Sequence, residues 1–174
     1  MHISTEHWHL AELNIARAVA SVDGPELAEF VGGLAAINAL ADAAPGFVWR
    51  LTGTDPDAPA AADTADPRLL FNMSVWETPE ALFDYVYKSA HTGFMLKRRQ
   101  WFEKPTEAYM VLWWVRAGHR PTLAEGLARL AQLRREGPTP NAFTFKQRYP
   151  APGAAGGAGA PDDMRPEPYC SGWQ

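Results

Sequence analysis

Leu69 to His91 read LLFNMSVWETPEALFDYVYKSAH, a stretch in which a strand pattern gives way to a helix pattern within three residues. Leu69, Phe71, Met73 and Val75 alternate with Leu70, Asn72, Ser74 and Trp76, so the two parities leave opposite faces of a strand. The odd face is wholly apolar. The even face carries an amide, a hydroxyl and an indole in a row, the chemistry of a solvated edge or of a pocket wall. Thr78 is placed to cap a helix, Pro79 suits its first position because the missing N–H would be unpaired there, and Glu80 favours the positive end of the dipole. Phe83, Val86, Tyr87, Ala90 and Phe94 then recur at helical spacing and predict one helix packed on the preceding strand, with His91 on its flank.

Upstream, His7 to Ala16 reads as a strand, and Asp23-Gly-Pro-Glu26 as a capping box. The helix after it would bury Leu27, Phe30, Val31, Leu34, Ile37 and Ala41, and Pro45-Gly46 would end it before a strand Phe47 to Thr52. Gly53 to Pro67, acidic and rich in Ala and Pro, lacks periodicity and predicts a long exposed loop. Downstream, EAYMVLWWV (107–115) is apolar at both parities, as in a strand buried on both faces. Thr122 and Glu125 form a second capping box; Leu123, Leu127, Leu130 and Ala131 give the next helix its stripe, and Gly137-Pro138 stops it. Ala142 to Tyr149 is a candidate last strand. Residues 1–150 then make one domain, and 151–174, rich in Pro, Gly and Ala, a flexible tail.

The order β-α-β-β-α-β matches the split βαβ pattern of a ferredoxin-like α+β fold, an antiparallel sheet with helices on one face, extended here by a C-terminal helix and the candidate strand. Two helices would leave the other face bare, with Trp76 and part of the 107–115 strand on it, and pairing of two subunits through that face would cover it. A homodimer is predicted on this ground.

With 47% hydrophobic and 11% aromatic residues, seven of them Trp, the 174-residue chain has ample material for a core or an aromatic-lined cavity. A net charge of −4 argues against a general nucleic-acid surface, and the single cysteine, Cys170, permits neither an internal disulfide nor a cysteine-rich metal site. No signal-peptide pattern opens the chain and no run approaches the ~20 apolar residues of a membrane span, so a cytoplasmic protein without membrane partners is the expectation.

Asn72 and Trp76 lie two pleats apart on one face, about 13 Å at ~3.3 Å per residue, and a substrate would bridge them. Filling of an interface by Trp76 is the plainer alternative. His91, Met95 and Arg98 share a helix flank at i, i+4 and i+7, where an imidazole takes a proton and a guanidinium holds an oxyanion. A solvated face is the plainer reading of Lys97, Arg98 and Arg99. Arg50 points to the polar sheet face, there to bind an anionic or phenolic ligand or to pair with Glu12. His7 and His9 share a strand parity, but no carboxylate or cysteine completes a metal set around them. Gly153 to Gly159 lacks the strand–helix context of a phosphate loop.

HLAELNIAR (9–17), GFVWRL (46–51), SVWE (74–77), YKSAH (87–91), LWWVRAGHRPT (112–122) and GPTPNAFTF (137–145), in that order, resemble a bacterial family known only as a domain of unknown function (number 3291), within the dimeric α+β barrel superfamily. That resemblance implies the fold more firmly than a reaction. Asn72-x3-Trp76 is similar to the Asn and Trp of cofactor-independent, quinone-forming monooxygenases, where they hold a phenolic substrate while O2 reacts with its carbanion; the tyrosine placed six residues beyond the Trp is Leu82 here. The haem-degrading branch resembles the chain at Asn14 and Tyr85, but its iron-ligating histidine falls at Met95. Taken with the residue patterns above, these likenesses point to a monooxygenase-like enzyme acting on an aromatic or polyketide-like small molecule, with His91, Asn72 and Trp76 catalytic and Arg50, Arg98, Tyr85 and Trp114 lining the substrate. A ligand-binding or structural dimer without catalysis is the alternative, a haem-binding protein the third reading, and no cofactor or metal is expected.

Overall fold

A computed structural model describes residues 7–55, 66–89 and 91–154, with the side chains of His91 and Thr92 outside the description. Most of the Gly53–Pro67 loop and residues 155–174 of the tail, with Cys170, therefore lie outside the described residues. Four strands, β1 (Trp8–Arg17), β2 (Phe47–Arg50), β3 (Leu69–Trp76) and β4 (Met110–Arg116), form one sheet in the order β2-β3-β1-β4, every neighbour antiparallel. With α1 (Ala28–Asp42) between β1 and β2, and helices between β3 and β4, this is the ferredoxin-like arrangement expected from the element order.

Strand register fixes the faces. Leu10, Glu12, Asn14 and Ala16 stand opposite Trp76, Ser74, Asn72 and Leu70 of β3, and the first three also opposite Trp114, Leu112 and Met110 of β4. All belong to the even face. Two clusters roof it: Leu82 and Phe83 of α2 (Pro79–Lys88) pack with Leu10, Trp76 and Leu112, while Phe30 of α1 and Trp101 pack with Ala18, Leu70 and Phe94. The helices thus cover the polar face. Trp76, expected on the bare side, is buried beneath α2.

The apolar odd face is covered by α5 (Leu123–Glu136), whose Leu130 and Leu133 meet Ala11, Leu13, Met73, Val111 and Trp113. Gly126 permits this approach, since a Cβ there would come within 3.0 Å of Leu13 Cδ2 and 3.2 Å of Met73 Sδ. Each buried Leu, Met or Val is worth about 1.5–3 kcal/mol of transfer free energy. The C-terminal helix takes the place assigned to a second subunit over β1 and β4, while Trp49, Leu51 and Phe71 toward β2 remain only half-buried.

Four local expectations are corrected. Thr78 caps α2 as read, accepting from the Ala81 N–H, but the helix ends at Lys88, where Ser89 is extended and its hydroxyl donates to the Tyr85 carbonyl. Two short helices follow, α3 (His91–Leu96) and α4 (Arg98–Trp101), so His91 and Arg98 do not share one helix. Asp23 caps nothing: a 3-10 turn, Pro25–Leu27, leads into α1, and Val31 is exposed. Thr122 caps α5 through the Glu125 N–H, yet the Glu125 carboxylate turns away from the box to accept from Trp113 Nε1 at 3.0 Å and to meet His119 at 2.8 Å. Of the last strand only isolated bridges form, Phe143 to Leu112 beside the edge of β4 and Ala142 back to Thr139.

Candidate active site

Between the two roofed clusters, the middle of the even face carries Glu12, Asn14, Asn72 and Ser74. Glu12 and Ser74 are the buried polar residues of the described core. Trp76 Nε1 donates to Ser74 Oγ at 2.9 Å, Ser74 Oγ donates to Glu12 Oε2 at 3.2 Å, and Asn14 Nδ2 donates to Glu12 Oε1 at 2.7 Å. Strand geometry dictates this: Ser74 is the cross-strand neighbour of Glu12, and Asn14 and Trp76 are each one pleat along on the same face. Burial disfavours the charged carboxylate more than the hydrogen bonds from Asn14 and Ser74 and the nearby Arg98 favour it, and Glu12 is pushed up to about 7. A carboxyl poised there gives or takes a proton at neutral pH.

Tyr85 of α2 stacks on Trp76 with ring centroids 5.1 Å apart, and its hydroxyl donates to the Ile37 carbonyl of α1. Burial, then the Glu12 carboxylate, push its phenol up to about 12, so it keeps its proton at neutral pH. Arg98 is the inward member of the basic run, correcting the reading of Lys97, Arg98 and Arg99 as one solvated face: Lys97 pairs with Glu29 and Arg99 is exposed. The guanidinium of Arg98 lies 5.3 Å from the Phe102 ring and 5.1 Å from that of Tyr109, with its Nε buried and unpartnered. The band reaches solvent at Asn72, which is exposed because β2 ends at Arg50, opposite Ser74.

The model of one family matches residues 9–158, most of the chain. The chain belongs to the family described as a domain of unknown function, DUF3291. No curated protein matches the sequence. Among solved structures, this DUF3291 chain is similar to a Chloroflexus aurantiacus J-10-fl protein assigned provisionally as an antibiotic biosynthesis monooxygenase, at 15% identity and a TM-score of 0.40 over 66% of this chain and 98% of that one. It is also similar to a protein of unknown function from Nitrosomonas europaea, at 13% identity and a TM-score of 0.42 over 67% and 95% of the two chains.

In the DUF3291 chain the residues singled out from sequence are only partly brought together. Trp76, Tyr85, Asn72, Asn14 and Arg98 border the band around Glu12. Arg50 shares the face but is held by Asp42 at 2.8 Å, not by Glu12. Trp114, toward the far end of the face, donates to the Tyr149 carbonyl at 2.9 Å and so secures the C-terminal segment. His91 opens α3, its side chain outside the described residues. His7 and His9 meet edge to face, burial and then His7 lower the pKa of His9, and no group of three or more metal-ligating His, Cys, Asp or Glu exists among the described residues. No described helix is long and apolar enough to cross a membrane. Glu12 was missed as a site residue; its signal is a lone charge between Leu10 and Ala16 in an otherwise strand-like run.

Proposed function

We propose that this DUF3291 protein is a small-molecule enzyme of monooxygenase-like type acting on an aromatic, polyketide-like substrate, with Glu12 as its proton acceptor. One observation carries the reading: a buried carboxyl, hydrogen-bonded by Asn14 and Ser74 and titrating near neutrality, lies under a roof of helices with aromatic rings around it. Glu12 takes the proton from an acidic C–H of a phenolic substrate, and Arg98 steadies the resulting anion. The anion is oxidised by O2, which is reduced to water as the second oxygen atom becomes the new carbonyl of a quinone. Asn72 and Trp76 orient the substrate, and the catalytic role expected of His91 passes to Glu12. The polar row itself carries none of the His, Cys, Met or Tyr side chains that usually ligate haem iron.

The test is O2 consumption by purified protein with 1,8-dihydroxyanthrone. We expect substrate-dependent uptake that falls about a hundredfold or more in folded Glu12→Gln, the usual scale for a lost acid–base group. Unchanged turnover in that variant removes Glu12 from the mechanism. Thermal stabilisation by the compound without turnover would make the protein a binder instead.

A further inference from the structure

Arg98 is placed as an anchor without a counterion. Its neighbours on either side in sequence face outward, yet its own side chain is half-buried, with the rings of Phe102 and Tyr109 near its guanidinium. Among the described residues no carboxylate lies within ion-pairing distance of it, although Glu12 is near enough for each to feel the other's charge. Arginine does not escape burial by losing its proton; the rings of Phe102 and Tyr109 offset part of the cost of burying its Nε, and an anion at the guanidinium offsets more. Glu12 serves poorly, because its oxygens are engaged by Asn14 and Ser74 and burial favours its neutral form.

We infer that the ligand of this band is a carboxylate-bearing aromatic molecule, its carboxylate held by the Arg98 guanidinium and its ring beside Tyr85 and Tyr109. The guanidinium fork matches a carboxylate in a way a single phenolic oxygen cannot. The inference rests on the acid–base reading above and adds the substrate's charge to it.

A bound carboxylate also cancels the positive field that Arg98 casts on Glu12, so binding raises the proton affinity of Glu12: part of the population takes up a proton, and the fraction still ionised is the stronger base. The groups that act on Glu12 are Asn14 on β1, Ser74 on β3 and Arg98 on α4; beyond them stand Trp76, bonded to Ser74, Tyr85 from α2, Arg50 on β2 paired with Asp42 from α1, and Tyr109 against Arg98. Tyr85 keeps its proton at neutral pH and Arg50 is paired with Asp42, which leaves Glu12 to take up the proton.

Calorimetric titration of the full chain with 1-naphthoate and with neutral 1-naphthamide at pH 7.5 decides this. Naphthoate is expected to bind about ten- to a hundredfold more tightly than the amide, the range for a charge-assisted hydrogen bond, and Arg98→Gln to abolish that preference. In buffers of different ionisation enthalpy, naphthoate binding should take up a fraction of a proton in wild type and none in Glu12→Gln. Equal affinity for acid and amide in the wild-type protein, or no naphthoate binding at millimolar concentration, overturns the inference without need of any variant. Naphthoate preference in a protein that never consumes O2 leaves the anchor standing and removes only the catalytic reading.

Discussion

Glu12 shows at the residue scale how one side chain ties stability to chemistry. Its folded pKa near 7 exceeds the ordinary 4.5, so between those values the folded protein binds the proton more tightly than the unfolded chain. The neutral form's contribution is complete below pH ~4.5, declines as pH rises toward ~7, and is then lost, about 3 kcal/mol in all at 1.36 kcal/mol per pH unit. Urea denaturation at pH 5 and pH 8 should show Glu12→Gln flattening this decline and raising the midpoint at pH 8. A variant whose midpoint tracks wild type at both pH values would mean that Glu12 stays ionised in the folded protein. The charge itself was legible in the sequence, since Glu12 interrupts an apolar strand. Its role was not, because Ser74 lies 62 residues away and only the β1–β3 register brings the two together. Arg98 was legible as a substrate-side cation, but its supposed partner on one helix flank, His91, was not, for the break at Ser89 divides the expected long helix and puts the two on α3 and α4.

At the scale of elements, alternation and the two Thr caps carried well, while the Asp23 cap and the long-range choices did not. Thr78 and Thr122 cap where a Thr before a Pro- or Leu-led helix says they should. Alternation in β3 gave the two faces correctly, yet which face the helices take is decided by packing: α5 brings Leu130 and Leu133 to the apolar side, and α1 and α2 close over the polar one. Two glycines separate packing from propensity. Gly126→Val should drive α5 away from Leu13 and Met73 and lower stability by about 1–3 kcal/mol. Gly32→Ala in α1, where an added Cβ meets nothing within 4 Å, should raise it by about 0.5–1 kcal/mol. Thermal melts of both variants check the pair, and equal effects would show that α5 does not rely on the close approach at Gly126.

For the whole molecule, the expectation of a homodimer began from a bare sheet face, and α5 removes that need over β1 and β4. What stays half-buried is the β2 side, with Trp49, Leu51 and Phe71. We expect sedimentation equilibrium at micromolar concentration to find a dimer, and Phe71→Glu to dissociate it while leaving the circular dichroism spectrum intact. A wild-type monomer would mean that α5 alone completes the domain.

The roofing of the polar face by helices of the same chain bears on how subunits would share work. Glu12, Ser74, Trp76, Tyr85 and Arg98 all come from one polypeptide and lie across the sheet from Phe71. Two such protomers joined on the β2 side would behave as independent workshops under one wall: filling one would carry no message to the other, and separating them would idle neither.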